Sequence, residues 1–140
     1  MITLEKIEDL TIPVITNIVE THEADELPRL LKLERYYRNQ NDINNRLQAD
    51  ETKPNNKIAN AYASYITDTL VGYFIGEPIS YTCDESEETL VKLIDLLEYN
   101  DEADENAELA KDASIFGVAY EYLYMSEIDK QLRFKRLDPK

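Results

Sequence analysis

The chain has 140 residues, 43% of them hydrophobic, and a formal net charge of −14. That length suits one domain or a large piece of one, and the apolar content is sufficient for a core, which excludes a disordered chain. A surface of this sign repels a phosphate backbone, which disfavours a sequence-reading grip on nucleic acid.

No apolar run approaches membrane-spanning length and no signal-peptide pattern opens the chain, so an intracellular setting is the default expectation. Cys83 is the single cysteine, so no internal disulfide can form.

Residues 3–21 place Leu4, Ile7, Leu10, Val14, Ile15, Ile18 and Val19 at helical spacing. Pro13 interrupts the stripe and predicts a break near Thr11-Ile12, with a new helix carrying Pro13 in its first turn. His22 falls near the end of that helix; a lone histidine among acids reads as a surface residue, not a ligand or base. Asp25 reads as the N-cap of a further helix with Pro28 early in it. Its buried side is Leu27, Leu30, Leu31, Leu33 or Glu34, and Tyr37. Arg29, Lys32, Arg35 and Arg38 form a basic side, read as a solvated face with internal Glu–Arg pairs in preference to a nucleic-acid contact. Residues 39–53 are polar and predict a loop with one turn around Ile43–Leu47, anchored by a carboxylate pair of Arg46.

Lys53–Ile79 is the least acidic and most apolar run, and the pattern makes it the element around which the rest is organised. Pro54-Asn55-Asn56 supplies a turn and a capping amide. Ile58, Ala61, Tyr62, Tyr65, Ile66, Thr69 and Leu70 recur on one helical face, widened by Ala59, Ala63 and Val71, which predicts burial over much of the circumference. Gly72 reads as the C-terminal glycine, and Gly76-Glu77-Pro78 as a turn into a short edge strand, Ile79–Cys83.

Asp84 or Ser86 caps the next helix, whose apolar members are Leu90, Leu93, Ile94, Leu97 and Tyr99. Asp101 or Asp104 caps another, with Ala107, Leu109 or Ala110, Ala113 and Phe116 inside and Gly117 at its end. Val118–Met125 alternates as a strand and Gln131–Leu137 as a second; the polar turn between them makes a hairpin with an exposed edge. The fold class is α+β, predominantly α-helical, with helices at about 3–38, 56–72, 86–99 and 103–116 and a hairpin at about 118–137.

Three segments carry a resemblance. Lys53–Ile79 (KPNNKI…YFIGEPI) resembles a segment of the portal proteins of long-flexible-tailed bacteriophages, the ring-shaped head–tail connectors. Leu33–Gln40, with Ile43 and Arg46 after it, resembles that family's lead-in, although Arg38-Asn39 stands where the family usually has a glycine. Ile115–Tyr120 resembles its later join. The resemblance implies that residues 1–140 are the N-terminal, wing part of a portal subunit. It implies a structural component of a ring at the capsid vertex, which passes DNA during packaging and ejection and serves as platform for the tail. It also implies as partners other portal subunits, capsid and scaffold proteins, the packaging terminase, head-completion proteins, and double-stranded DNA that slides through without sequence-specific binding. Location would be the virion, and the host cytoplasm during assembly. A free-standing acidic helical adaptor is the alternative reading, and a small hydrolase using the acidic cluster the third.

Chemistry has little to build on. Asp101, Glu102, Asp104, Glu105, Glu108 and Asp112 lack the glycine turn of a calcium loop, and acids at a helix N-terminus are favourable in themselves. No nucleophile–base pattern and no glycine-rich phosphate loop is present. The reading is not an enzyme, with no cofactor and no metal. Ten tyrosines suit semi-exposed contacts between subunits. Twelve acids against Lys92 and Lys111 lie between Asp84 and Asp112, whereas the last eleven residues hold Lys130, Arg133, Lys135, Arg136 and Lys140. These poles can meet between neighbouring subunits or neutralise each other within one. The candidate subunit-contact residues are Tyr36, Tyr37, Arg46, Arg133, Lys135 and Arg136.

Overall fold

A computed structural model describes residues 10–48, 52–84 and 86–140. The Leu4 and Ile7 positions of the first stripe lie outside the described residues. Helix α1 (Ile12–Thr21) starts with Pro13 in its first turn after an extended Thr11. No new cap follows at Asp25. Instead a π-helical stretch, His22–Glu26, runs directly into α2 (Leu27–Tyr37), with the Leu27 N–H donating to the His22 carbonyl. Pro28 explains the widening. It has no N–H and its ring crowds the preceding turn, and a shift of one residue in the hydrogen-bond ladder absorbs both effects without breaking the rod.

Helix α2 ends where Asn39 takes the left-handed conformation, φ 59°, at the site of the expected glycine. Asparagine is among the few residues that adopt this geometry at low cost. The Gln40 N–H then reaches back to the Arg35 carbonyl at 2.7 Å and closes the helix end. A short 3-10 turn, Asp42–Asn45, follows. Residues 54–61 are irregular, because Asn55 accepts from Arg46 at 2.8 Å instead of capping a helix.

Helix α3 spans Tyr62–Ile75, later than the expected 56–72. Gly72 lies inside it with open space around it, and the helix stops at Gly76, where a Cβ would collide with the Gly72 carbonyl oxygen. Residues 79–83 form no strand. Helix α4 (Glu87–Tyr99) is capped by Ser86, whose hydroxyl accepts from the Thr89 N–H at 3.3 Å. Helix α5 (Glu102–Phe116) ends at Gly117, φ 79°, whose N–H bonds to the Ala113 carbonyl at 3.0 Å.

Strands β1 (Tyr120–Met125) and β2 (Leu132–Leu137) pair antiparallel, with Tyr122 opposite Lys135 and Tyr124 opposite Arg133. This hairpin on a set of helices is the α+β, mainly helical architecture that the pattern predicts.

The hub is α5, not α3. It packs against α2, α3, α4 and β2, whereas α1 rests mainly on the π stretch beside it. Among the described residues, Leu30 of α2 and Phe116 of α5 are the buried large apolar side chains, 2% and 4% exposed. Alanines at 107 and 110 let neighbouring elements approach α5 closely from several directions.

Helix α3 therefore divides the expected buried face: Ala63 and Val71 turn inward as expected, whereas the bulky members turn outward. Its small side, Ala63, Ser64, Thr67 and Val71, faces inward, and Thr67 is buried. The side with Tyr62, Tyr65, Ile66, Leu70 and Tyr73 faces outward, each of these more than half exposed. A slender face lets α3 settle close to α5, where the Ser114 hydroxyl lies 3.4 Å from that of Thr67.

Two substitutions test the position of the stop. Gly72→Ala fills open space in an exposed helix interior and is expected to stabilise by about 1 kcal/mol in urea denaturation. Gly76→Ala is expected to destabilise by about 1–3 kcal/mol through its backbone clash.

Candidate functional site

The residues singled out for contact do not gather at one place. Tyr36 and Tyr37 end α2. The Tyr36 hydroxyl donates to Asp42 at 2.8 Å and the Tyr37 hydroxyl donates to Asp68 at 3.0 Å, tying α2 to the 3-10 turn and to α3. Arg35 also pairs with Asp42. Arg46 bonds to an amide, Asn55, rather than to the expected carboxylate, and Lys57 reaches the Asn44 carbonyl at 3.1 Å. Together these bonds fold the polar loop back on itself.

The basic side of α2 is occupied locally. Arg38 pairs with Glu34 at 2.6 Å and Arg29 with Glu26 at 2.9 Å. Arg29 also donates to the Phe116 carbonyl at 3.2 Å, satisfying an orphan acceptor at the end of α5.

On the hairpin, β2 splits its cations between two sides. Arg136 turns inward: its guanidinium lies 2.7 Å from Asp112, which is 5% exposed, and 3.6 Å from Glu108. Its backbone N–H donates to Glu105 at 3.2 Å. Lys140 folds back to Glu34 at 2.8 Å, above the Phe116 ring. The basic end and part of the acidic helix thus meet within one chain. Arg133 pairs with Asp129 at 2.7 Å and stacks on the Tyr99 ring at 3.9 Å. Lys135 is exposed and has no ionic partner among the described residues. Beside it on β1, Tyr122 and Tyr124 stack with ring centres 5.5 Å apart.

The acidic cluster is spread among these tasks. Glu102 accepts from the Tyr81 hydroxyl at 2.7 Å and from Asn106, and Glu108 pairs with Lys111 at 3.3 Å. Among the described residues no group of three or more histidine, cysteine or acidic side chains could hold a metal ion.

One feature escaped the sequence altogether. Leu70, Val71 and Phe74 of α3 and Ala110, Ala113 and Ser114 of α5 line a shallow apolar groove of about 360 Å³. Beside it project Tyr73, 90% exposed, and Phe74, 81% exposed. Helical periodicity could not have revealed this, because α3 is apolar on both sides and the larger side reads as the inner one.

Titration follows the same bonds. The Lys140 ammonium holds Glu34 below its ordinary 4.5, and the Tyr36 hydroxyl holds Asp42 below 3.8. Tyr99 and Ser126 hold Asp129 well below the usual range. The phenols of Tyr36, Tyr81 and Tyr99 are pushed above 10.0 by the carboxylates they donate to, and Tyr37 by burial first and Asp68 second. The carboxylate contributions are present above the ordinary acid values and are lost as pH falls through the depressed ones. The phenol contributions are present below pH 10.0 and are lost as pH rises through the elevated values. A urea midpoint that falls below about pH 4 and above about pH 10 is expected, and Tyr36→Phe should shrink the acid limb.

Arg136→Ala strands the buried Asp112 carboxylate and is expected to destabilise by about 2–3 kcal/mol, against less than about 0.5 kcal/mol for Lys135→Ala in the same denaturation series.

The sequence profile of the family described as "Phage portal protein, SPP1 Gp6-like" matches residues 16–140. The portal protein of Bacillus phage SPP1 is 28% identical over 136 residues, covering 90% of this chain and 27% of that protein. The chain thus spans about a quarter of the length of the curated relative it matches.

Proposed function

The chain belongs to the SPP1 Gp6-like family of phage portal proteins, and from that premise we propose that it is the N-terminal, wing part of a portal subunit. Its role is structural. In the assembled ring it forms part of the wall around a capsid-vertex channel, through which DNA enters during packaging and leaves during ejection, and it helps present the platform on which the tail is built. Its partners are other portal subunits, capsid and scaffold proteins, the terminase and head-completion proteins. It resides in the virion after assembly in the host cytoplasm.

The match over residues 16–140 is the observation that carries this reading. The chemistry of the chain supports it. The charged and phenolic groups singled out in the sequence are largely occupied in holding elements together, as expected of a part that transmits force and does not turn over a substrate. A net charge of −14 suits a wall past which DNA must slide, since it offers the phosphate backbone no general attraction.

Contact between subunits falls to the cations and phenols that remain available, foremost Lys135 on the outer side of the hairpin. Arg133, Tyr36, Tyr37 and Arg46, each already bonded within the chain, reach a neighbour only at the margins of that contact. Arg136, committed to Asp112, acts by holding β2 in place.

Ring assembly of the complete portal protein, followed by electron microscopy and native mass spectrometry over a salt series, tests this. Lys135→Glu together with Arg133→Glu is expected to impair ring formation and alter its salt dependence while leaving the helical content intact. Rings that assemble as in the parent at every salt concentration would overturn the assignment of these cations to the subunit contact.

A further inference from the structure

We propose that the outward side of α3 is a contact surface for a second copy of this chain, with Tyr73 of one copy entering the groove between α3 and α5 of the next. The inference rests on the portal reading, since a ring supplies the neighbouring copy.

Size is the first argument. Four aromatic side chains, Tyr62, Tyr65, Tyr73 and Phe74, stand mostly exposed on α3, with Ile66 and Leu70 between them. At about 200 Å² for each aromatic side chain, exposures of 67, 69, 90 and 81% leave roughly 600 Å² uncovered. That is a large share of the roughly 800 Å² each partner contributes to a specific protein–protein interface. It reaches the upper end of the range for the largest apolar patch of a typical monomer, roughly 300–600 Å².

Charge is the second. Asp68 is the single charged residue of α3, and its carboxylate is held by Tyr37. Two copies that each carry −14 repel wherever their acids face each other. The α3 surface lets like-charged copies approach without bringing acids together. A partner of opposite charge would be drawn to the exposed acids instead.

Shape is the third. Tyr62, Tyr65 and Tyr73 project from one side of α3, whereas Leu70, Val71 and Phe74 line the groove on the adjoining side, and the α5 wall of the groove is built from Ala110, Ala113 and Ser114. Small side chains there leave room for an aromatic ring. A knob and a groove on separate sides make a head-to-tail contact, in which each copy offers its knob to one neighbour and its groove to the other.

The test places a photoreactive benzoylphenylalanine at position 73 and mixes unlabelled with nitrogen-15-labelled copies of the complete portal protein before irradiation. Mass spectrometry is expected to find adducts that join light to heavy peptides and land within residues 70–74 or 110–114. Adducts confined to one copy, adducts to a different protein, inter-copy adducts away from the groove, or none at all would each overturn the proposal. In a parallel measurement Phe74→Asp should weaken association at least about tenfold by sedimentation, with the circular dichroism unchanged; undiminished association would also overturn it. Electron micrographs judge the portal reading separately: rings without adducts at position 73 leave that reading intact and remove this surface from it.

Discussion

Asp112 is a carboxylate 5% exposed at the centre of four packed elements, and the fold depends on the guanidinium 2.7 Å away that makes its burial tolerable. An ionised acid withdrawn from water is costly unless it is paired and hydrogen-bonded. Arg136 provides that pairing from β2, and its backbone N–H adds a bond to Glu105, two helical turns before Asp112. Through this pair the hairpin is bound to α5, and through α5 to α2, α3 and α4. The pair acts together with the half-buried Leu132 and Phe134 and the Asn100 bond to Leu132, since β1 is exposed along its whole length.

The same economy runs through the rest of the molecule. A chain with 29 acids and only 15 lysines and arginines cannot neutralise its carboxylates by ion pairing alone. It uses tyrosine hydroxyls as additional donors. Four phenols, at 36, 37, 81 and 99, donate to Asp42, Asp68, Glu102 and Asp129, and each bond joins separate segments. Asn100 performs the equivalent task in neutral form, its buried amide donating to the Leu96 and Leu132 carbonyls at 2.8 and 3.1 Å. The elements are thus joined by polar clasps, most of them at the surface, around a small apolar centre of Leu30 and Phe116. Directional bonds of this kind fix relative positions sharply.

Within this framework of polar clasps, the most apolar helix lies with its large side outward. Burial of small residues against α5 brings the helices close, and the bulky residues are then left where a neighbour can cover them. The arrangement is intelligible for a chain spanning about a quarter of its relative's length, in a family of portal proteins.

Several elements were legible from local sequence because local forces decide them. Pro13 in a first turn, the Ser86 cap, Gly117 at φ 79° and the alternation in Tyr120–Met125 each reflect sterics or hydrogen bonds within a few residues. The motifs at 33–46, 53–79 and 115–120 indicated the family for the same reason that they are recognisable at all: they are continuous. What only the tertiary structure decided is which side of α3 turns inward, that α5 and not α3 is the hub, and that Arg136 takes its acids from its own chain. Orientation depends on the volume and polarity of partners distant in sequence, so a helix apolar all round carries no local mark of its inner side. A long flexible guanidinium can likewise reach any carboxylate within its radius, and only the assembled geometry selects Asp112.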